Sequence, residues 1–306
     1  MKGPAATARV PADPPDLPAP AVPVGAGATR PGSAVLPDSV AAAWGVRERP
    51  HRGPKPALSL PRIVAAAVRI ADAEGLDAVS MGRVAAELGA APMSLYRHVS
   101  AKEELLTLMV DAAWGDAPDP LEPGEGWRAG LSRWAWAMRA STKQHPWAVR
   151  IPLNSLPIMP HEVTWFEHAL ACMRDTALTE ARKASVIMLL AGYVRNQATT
   201  DADIAAAISA SGLSPAEWMS AYPRMLAKLT DPQRFPALAA FITAGVFDVA
   251  DEPDDEFVFG LGRILDGIET LVQSNSALCQ QPTLPCTSHG IRGRPGNRAS
   301  ATKIGR

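Results

Sequence analysis

Between about residues 59 and 274, apolar side chains recur every three or four positions, the spacing that lets a helix bury one face. No run alternates with the period of a half-buried strand, so the pattern predicts an all-α fold. A first helix starts near Ser59, with Pro61 in its first turn, where a missing N–H costs nothing. Ile63, Ala66, Ala67, Ile70, Ala71 and Ala73 form its stripe, and Gly75 ends it. Ser80 caps a short second helix, MGRVAAEL, stopped at Gly89. A third covers about Pro92–Val99. A fourth opens with the capping box Ser100-x-x-Glu103, carries Leu105, Leu106, Leu108, Met109, Ala112 and Ala113, and runs to about Trp114. The turn-rich stretch 115–126, GDAPDPLEPGEG, marks a domain boundary. Further helices are predicted at about 127–144, 160–175, 179–208, 214–229, 232–246 and 254–274, the fourth of these opened by Ser214-Pro215-Ala216-Glu217. The segment 146–160 carries four prolines and is expected to be irregular.

Composition sets this helical body apart from its ends. Residues 1–56 hold 12 of the 29 prolines and are otherwise rich in Ala, Gly and Val. Such a segment buries too few side chains to offset backbone ordering and is expected to be a disordered tail with a basic end. Residues 276–306 read as a second disordered, basic tail. The expected organisation is therefore tail 1–56, a small helical domain 57–114, a larger helical domain 115–275, and tail 276–306. At 47% hydrophobic residues the body has ample apolar mass for a core.

The net charge of −1 conceals an asymmetry. Residues 115–275 carry 13 basic and 20 acidic groups, net −7, whereas 276–306 carry five basic groups and no acidic one. The strip 47–62 alone is +4, with Arg47, Arg49, Arg52, Lys55 and Arg62 against Glu48. A basic strip on an acidic body is either a solvated flexible segment or an arm for a polyanion. The three cysteines fit neither a disulfide framework nor a zinc pattern, and no apolar run approaches the roughly 18 residues of a membrane span. The N-terminal stretch lacks the continuous apolar core of a secretory signal, so a cytoplasmic location is expected. His161-Glu162 is followed by His168 rather than by a histidine three residues after the glutamate, so the HExxH zinc motif fails. With no G-x-S-x-G and no phosphate-cradling glycine loop either, an enzyme is disfavoured, and no cofactor or metal is called for.

The informative segment is SMGRVAAELGAAPMSLYRHVSAK, Ser80–Lys102. Two short helices separated by a glycine turn have the geometry of a helix-turn-helix, although an ordinary helical hairpin shares that spacing. Val84, Ala85 and Leu88 face inward, and Leu95 and Val99 form the buried side of the second helix. Met93, Ser94, Tyr96, Arg97 and His98 are left outward or sideways. Ser, Tyr and Arg donate to phosphate oxygens, and Arg also grips guanine O6 and N7. Lys102 stands in the first turn of the next helix, placed for a phosphate. Arg52 and Lys55 on the basic strip suit an adjacent minor groove.

The run RIVAAAVRIADAEGLDAVSMGRVAAELGAAPMSLYRHVSAKEELLTLMVD resembles the DNA-binding domain of the TetR family of bacterial transcriptional repressors, over about Leu58–Trp114. The resemblance rests on the GL-x(4)-M-x(2)-VA-x(2)-LG spacing, the LYRHV core and the K-x-x-LL that follows. The later FVFGLGRILDGIETLV resembles, more weakly, the last helix of the tetracycline-repressor-like C-terminal domain. The resemblance implies an all-helical homodimer whose first three helices bind DNA and whose larger domain pairs and holds a small ligand. It places Ser94, Tyr96, Arg97, His98 and Lys102 at recognition-helix and phosphate positions, and Ser80 at a cap that also meets the backbone. Gly82 stands where several relatives have a basic phosphate contact, which is then absent or passes to Arg83.

In the larger domain, Trp127, Trp134, Trp136, Trp147, Trp165, Met138, Met159, Met173 and Met188 suit the walls of an apolar or aromatic site, and equally suit a simple core. Asn154, His168, Tyr193, Asn196 and Gln197 are polar groups in apolar surroundings, each a ligand-orienting or a structural residue. Trp134, Met138, Trp147, Asn154, Trp165, His168, Met188 and Asn196 are the expected ligand contacts. The stripes Ala184, Ile187, Met188, Ala191, Val194 and Phe257, Gly260, Leu261, Ile264, Leu265, Ile268 fit a dimeric four-helix interface, or else intrachain core. Gly260, Gly262 and Gly267 would permit close helix approach. The expected mechanism is two-state: a ligand reshapes the helices near 127–150, and the fourth helix transmits this to a dimer bound on a palindromic operator. The competing reading is a sequence-tolerant DNA-binding protein without a ligand switch, which an acidic body would hinder.

Overall fold

The computed structural model describes residues 38–46, 58–152, 157–246 and 254–280. Among them all regular structure is helical and no strand occurs. Arg52, Lys55 and Asn154 lie outside the described residues, as do most of the two terminal stretches.

The head is built from helices α2 (Leu60–Glu74), α3 (Met81–Glu87), α4 (Pro92–Leu95) and α5 (Lys102–Trp114). α2 starts after extended Ser59, with Pro61 in its first turn, and ends at Gly75, whose φ of 86° suits glycine. Its stripe is Ile63, Val64, Ala66, Ala67, Ile70 and Ala71; Ala73, expected in it, is exposed. The Ser80 hydroxyl accepts the Arg83 N–H at 3.1 Å and so caps α3. Gly89, at φ 63°, makes the turn to α4.

α4 is shorter than the expected 92–99. The N–H groups of His98 and Val99 both turn onto the Leu95 carbonyl, at 2.8 and 3.0 Å, so the chain continues as tight turns. Leu95 and Val99 are nonetheless both fully buried. The start of α5 also differs by one residue. Glu104, not Glu103, reaches back to Ser100, accepting its N–H at 2.6 Å and its hydroxyl. One residue later than expected, Ala101 is the cap and offers no side-chain bond.

The core of the head also takes in Trp147, Ala148 and Ile151, from or just after a 3₁₀ turn over Pro146–Arg150, and Met159. It takes in Val40 as well, from a helix α1 (Asp38–Ala43) that falls inside the stretch expected to be disordered. Over residues 38–46 that expectation is corrected: Val40 is buried, and the Trp44 indole donates to the Ile158 carbonyl at 2.8 Å.

The second core lies between α6 (Trp127–Gln144), α7 (Pro160–Cys172), α8 (Glu180–Ser211) and α11 (Asp255–Gln280). α11 runs past residue 276, where a tail was expected. α8 is 32 residues long, about 48 Å at 1.5 Å per residue. Much of the expected dimer stripe is intrachain core. Ile187 and Val194 of α8 and Phe257, Leu261, Leu265 and Ile268 of α11 are buried within one chain. Gly260 is the point of closest approach. The Tyr193 hydroxyl donates to the carbonyls of Glu256 and Phe257, both at 3.0 Å, and a Cβ at Gly260 would overlap it. Gly262 and Gly267, expected to play the same part, have open space above them. α9 (Pro215–Leu229) is opened by the predicted Ser214–Glu217 capping box; it and α10 (Pro236–Thr243) bury no side chain.

Candidate nucleic-acid interface and ligand pocket

The head presents one face built by burying its opposite one. Val84, Ala85, Leu95 and Val99 are sealed in the core. Their neighbours on α4 and the following turn are thereby pushed outward: Met93 is 74% exposed and Tyr96 46%, Arg97 is exposed, and Ser94 and His98 are half-buried. Lys102 is exposed in the first turn of α5. Ser80, already committed as a cap, is exposed at the start of α3. A short helix end carrying a hydroxyl, a phenol and a guanidinium suits phosphate oxygens and base edges.

Arg83 is differently placed. Its guanidinium donates to Glu74 at 2.7 Å and to Glu87 at 3.1 Å. These hydrogen bonds, Glu74 first, raise its pKa. Its charge is thus shared with two carboxylates, and contact with a phosphate requires exchanging them. Gly82 beside it is exposed and has nothing within 4 Å of where a Cβ would be.

Between α5, α6, α7 and α8 lies a cavity of about 140 Å³. Its walls include Trp134, Met138, Trp165 and Met188, four of the expected ligand contacts, together with Trp114, Phe166, Ile187, Ala191 and Pro157. The tryptophans hold one another: the Trp114–Trp165 ring centroids are 5.8 Å apart and the Trp134–Trp165 centroids 5.9 Å. Trp134 donates its indole N–H to the Trp165 carbonyl, and Trp165 donates its own to the Gly115 carbonyl, both at 3.0 Å. With those N–H groups bonded to backbone, these two rings offer carbon and π surface.

Three expected contacts are elsewhere. Trp147 is in the core of the head, where its indole N–H donates to Asp72 at 2.6 Å. The 3₁₀ turn aims it at α2, and Asp72 also pairs with the His145 ring at 2.8 Å. His168 faces a separate surface groove beside the 116–125 loop, with its Nε2 on the Asp119 carbonyl at 2.9 Å. Asn196 is exposed on α8.

The sequence reading missed Glu162, the ionisable side chain of the cavity wall. Its Oε2 accepts the N–H groups of Ile158 and Met159, at 3.2 and 3.3 Å, which closes the start of α7. Burial pushes its pKa up, against those two hydrogen bonds, and Asp111 adds to the rise. The Met-Pro-His-Glu string, a capping Glu at the third position of a helix, was the available signal.

The cavity is tied to the head through α5. Trp114, the last residue of α5, lines it. One turn earlier, buried Asp111 accepts the backbone N–H groups of His161 and Glu162 at 3.0 and 3.1 Å, and its other oxygen meets the His161 ring at 2.9 Å. A carboxylate at a helix N-terminus is favoured by the helix dipole, so α5 and α7 are joined by charge as well as by hydrogen bonds.

Residues 63–109 match the family model of bacterial regulatory proteins, tetR family, and residues 119–272 match that of the tetracyclin repressor-like C-terminal domain. The HTH-type transcriptional repressor DrrR1 of Streptomyces coeruleorubidus is 43% identical over 232 residues, which is 75% of this chain and 84% of the relative. The ActR protein of Streptomyces coelicolor in complex with actinorhodin superposes with a TM-score of 0.59 at 28% identity, over 70% of this chain and 97% of that one. Apo ActR gives a TM-score of 0.57 at 27% identity, with the same coverage.

Proposed function

The chain belongs to the TetR family of bacterial regulatory proteins, so it is a ligand-responsive DNA-binding transcriptional regulator and not an enzyme, and we propose that as a dimer it represses from a palindromic operator until a small aromatic molecule occupies the cavity under Trp114. The observation that carries this reading is α5 itself. One end holds Lys102 beside the reading turn, and the other holds Trp114 in the cavity wall, about 20 Å away along 13 residues. A ligand that moves Trp114 or α7 therefore moves the strut on which the head rests. ActR in complex with actinorhodin supports a small-molecule effector for this fold. The acidic larger domain disfavours indiscriminate DNA binding, and the place of action is the cytoplasm.

Ser80, Met93, Ser94, Tyr96, Arg97, His98 and Lys102 form the DNA face, with Arg83 at its edge and Arg52 and Lys55 on the arm preceding it. Pairing uses the groove of about 290 Å³ between α8 and α11, lined by Val186, Leu189, Ile264, Gly267, Ile268 and Leu271 and edged by Arg182 and Arg263. Two heads about 34–36 Å apart then meet successive major grooves. Ligand and operator oppose each other with one coupling energy; a 100-fold release requires about 2.7 kcal/mol.

Selection of bound duplexes from a random pool tests this. A two-fold symmetric site is the expected outcome, and Arg97→Ala is expected to relax one base position in each half-site at a cost of about 1–3 kcal/mol. Recovery of sequences without symmetry, or an Arg97→Ala protein with undiminished preference, overturns it.

A further inference from the structure

We propose that the effector is a flat aromatic cation, of about two fused rings, seated with its charge at Glu162 and its ring plane among Trp114, Trp134 and Trp165. This rests on the reading of that cavity as the effector site.

The wall is apolar and π-rich except at one place. Glu162 is half-buried there, and its two hydrogen bonds both fall on Oε2. Among the described residues no Lys or Arg forms an ion pair with it. The neighbouring basic group, the His161 ring, is engaged with Asp111. Asp111 is itself buried and acidic, so it deepens the negative potential on that side of the cavity. A carboxylate partly removed from water without a countercharge is costly, and a ligand cation relieves that cost. The raised pKa of Glu162 records the same unmet need.

The remaining walls favour the same ligand. Indole faces attract cations through their ring quadrupole, and a partly desolvated site strengthens the attraction. Trp134 and Trp165 have bonded their N–H groups to carbonyls, so they present no strong donor for an anion. A cavity of about 140 Å³ is below the 300 Å³ or more typical of drug-sized ligands, which sets the two-ring scale. Met188, 55% exposed at the rim, is a flexible side chain that can swing aside for a larger substituent.

The test compares N-methylquinolinium with quinoline, a matched cation and neutral ring, at pH 8 on the full chain by tryptophan quenching and calorimetry. The cation is expected to bind at least about tenfold more tightly, equivalent to about 1.4 kcal/mol. Glu162→Gln keeps an oxygen for the two backbone N–H groups and is expected to bring that ratio near one. Met188→Trp, at an exposed position, is expected to block both probes. Equal affinities in the unaltered protein, or a preference that survives Glu162→Gln, overturn the cation proposal while blockage by Met188→Trp upholds the cavity. Binding indifferent to Met188→Trp, or no binding by either probe, overturns the cavity reading and the proposal with it.

Discussion

Arg83 and Arg97 lie 14 positions apart, carry the same charge, and stand in opposite situations. Arg97 is exposed on the turn after α4, while Arg83 is held between Glu74 and Glu87. Sequence alone admits both as DNA contacts; only the fold of α2 against α3 brings Glu74 to Arg83. Gly82 follows from the same geometry. The space beyond its Cβ position is open, so Gly82→Arg is expected to fold, to gain up to about 1 kcal/mol of helix propensity, and to supply the cation that Arg83 withholds. Operator titrations over a salt series should then show a log–log slope steeper by about 0.9 for each head that gains a phosphate contact. An unchanged slope would mean that position 82 does not face the backbone. Ser80 was legible because its cap is a local matter, closed three residues away. Trp147 was not, because an indole in a proline-rich segment reads the same whether it fills a core or lines a cavity.

The elements repeat that contrast between local and distant causes. The start of α9 at Ser214–Glu217 and the end of α2 at Gly75 depend on residues within one turn, and both formed as the pattern predicts. The shortening of α4 and the shift of the α5 capping contact from Glu103 to Glu104 go with the burial of Leu95 and Val99 in a core assembled from distant parts of the chain. Gly260 belongs to this scale. It lets α11 lie against α8 where Tyr193 ties down the first carbonyls of α11. Gly260→Ala is expected to lower stability by about 1–3 kcal/mol through overpacking, read as a fall in the urea midpoint. Combining it with Tyr193→Ala should cost less than the sum of the two single changes, because the overlap is then gone. Additive losses would show that the contact is not the reason for the glycine.

At the scale of the whole molecule, the stripes expected to join two chains turned out to be mostly the seam between α8 and α11 of one chain. A helix that is apolar over more than one face serves both purposes, and the sequence pattern does not say which face meets which partner. Outside that seam, Leu189 is 54% exposed at the wall of the α8–α11 groove, and Val258 and Phe259 are exposed on α11. Leu189→Arg removes no buried group, so the fold should persist. Sedimentation is expected to show a monomer at micromolar concentration, and affinity for a two-fold site should fall at least about 100-fold as the two heads separate. A stable dimer of Leu189→Arg would move the pairing face elsewhere.

The residues of this chain by themselves determined that it is helical, where most helices begin and end, and that Ser80–Lys102 forms a glycine-turned pair of helices with Tyr96 and Arg97 outward. These properties depend on spacing, capping and turn chemistry, whose range is one or two turns of helix. Tertiary structure alone decided that Trp114 closes a cavity with Trp134 and Trp165, that Trp147 belongs to the head, that Asp111 bonds the start of α7, and that Glu162 is the charge in an apolar wall. Those partners lie tens of residues away in the chain, and the local pattern that fixes a helix does not encode which other helix its buried face will meet.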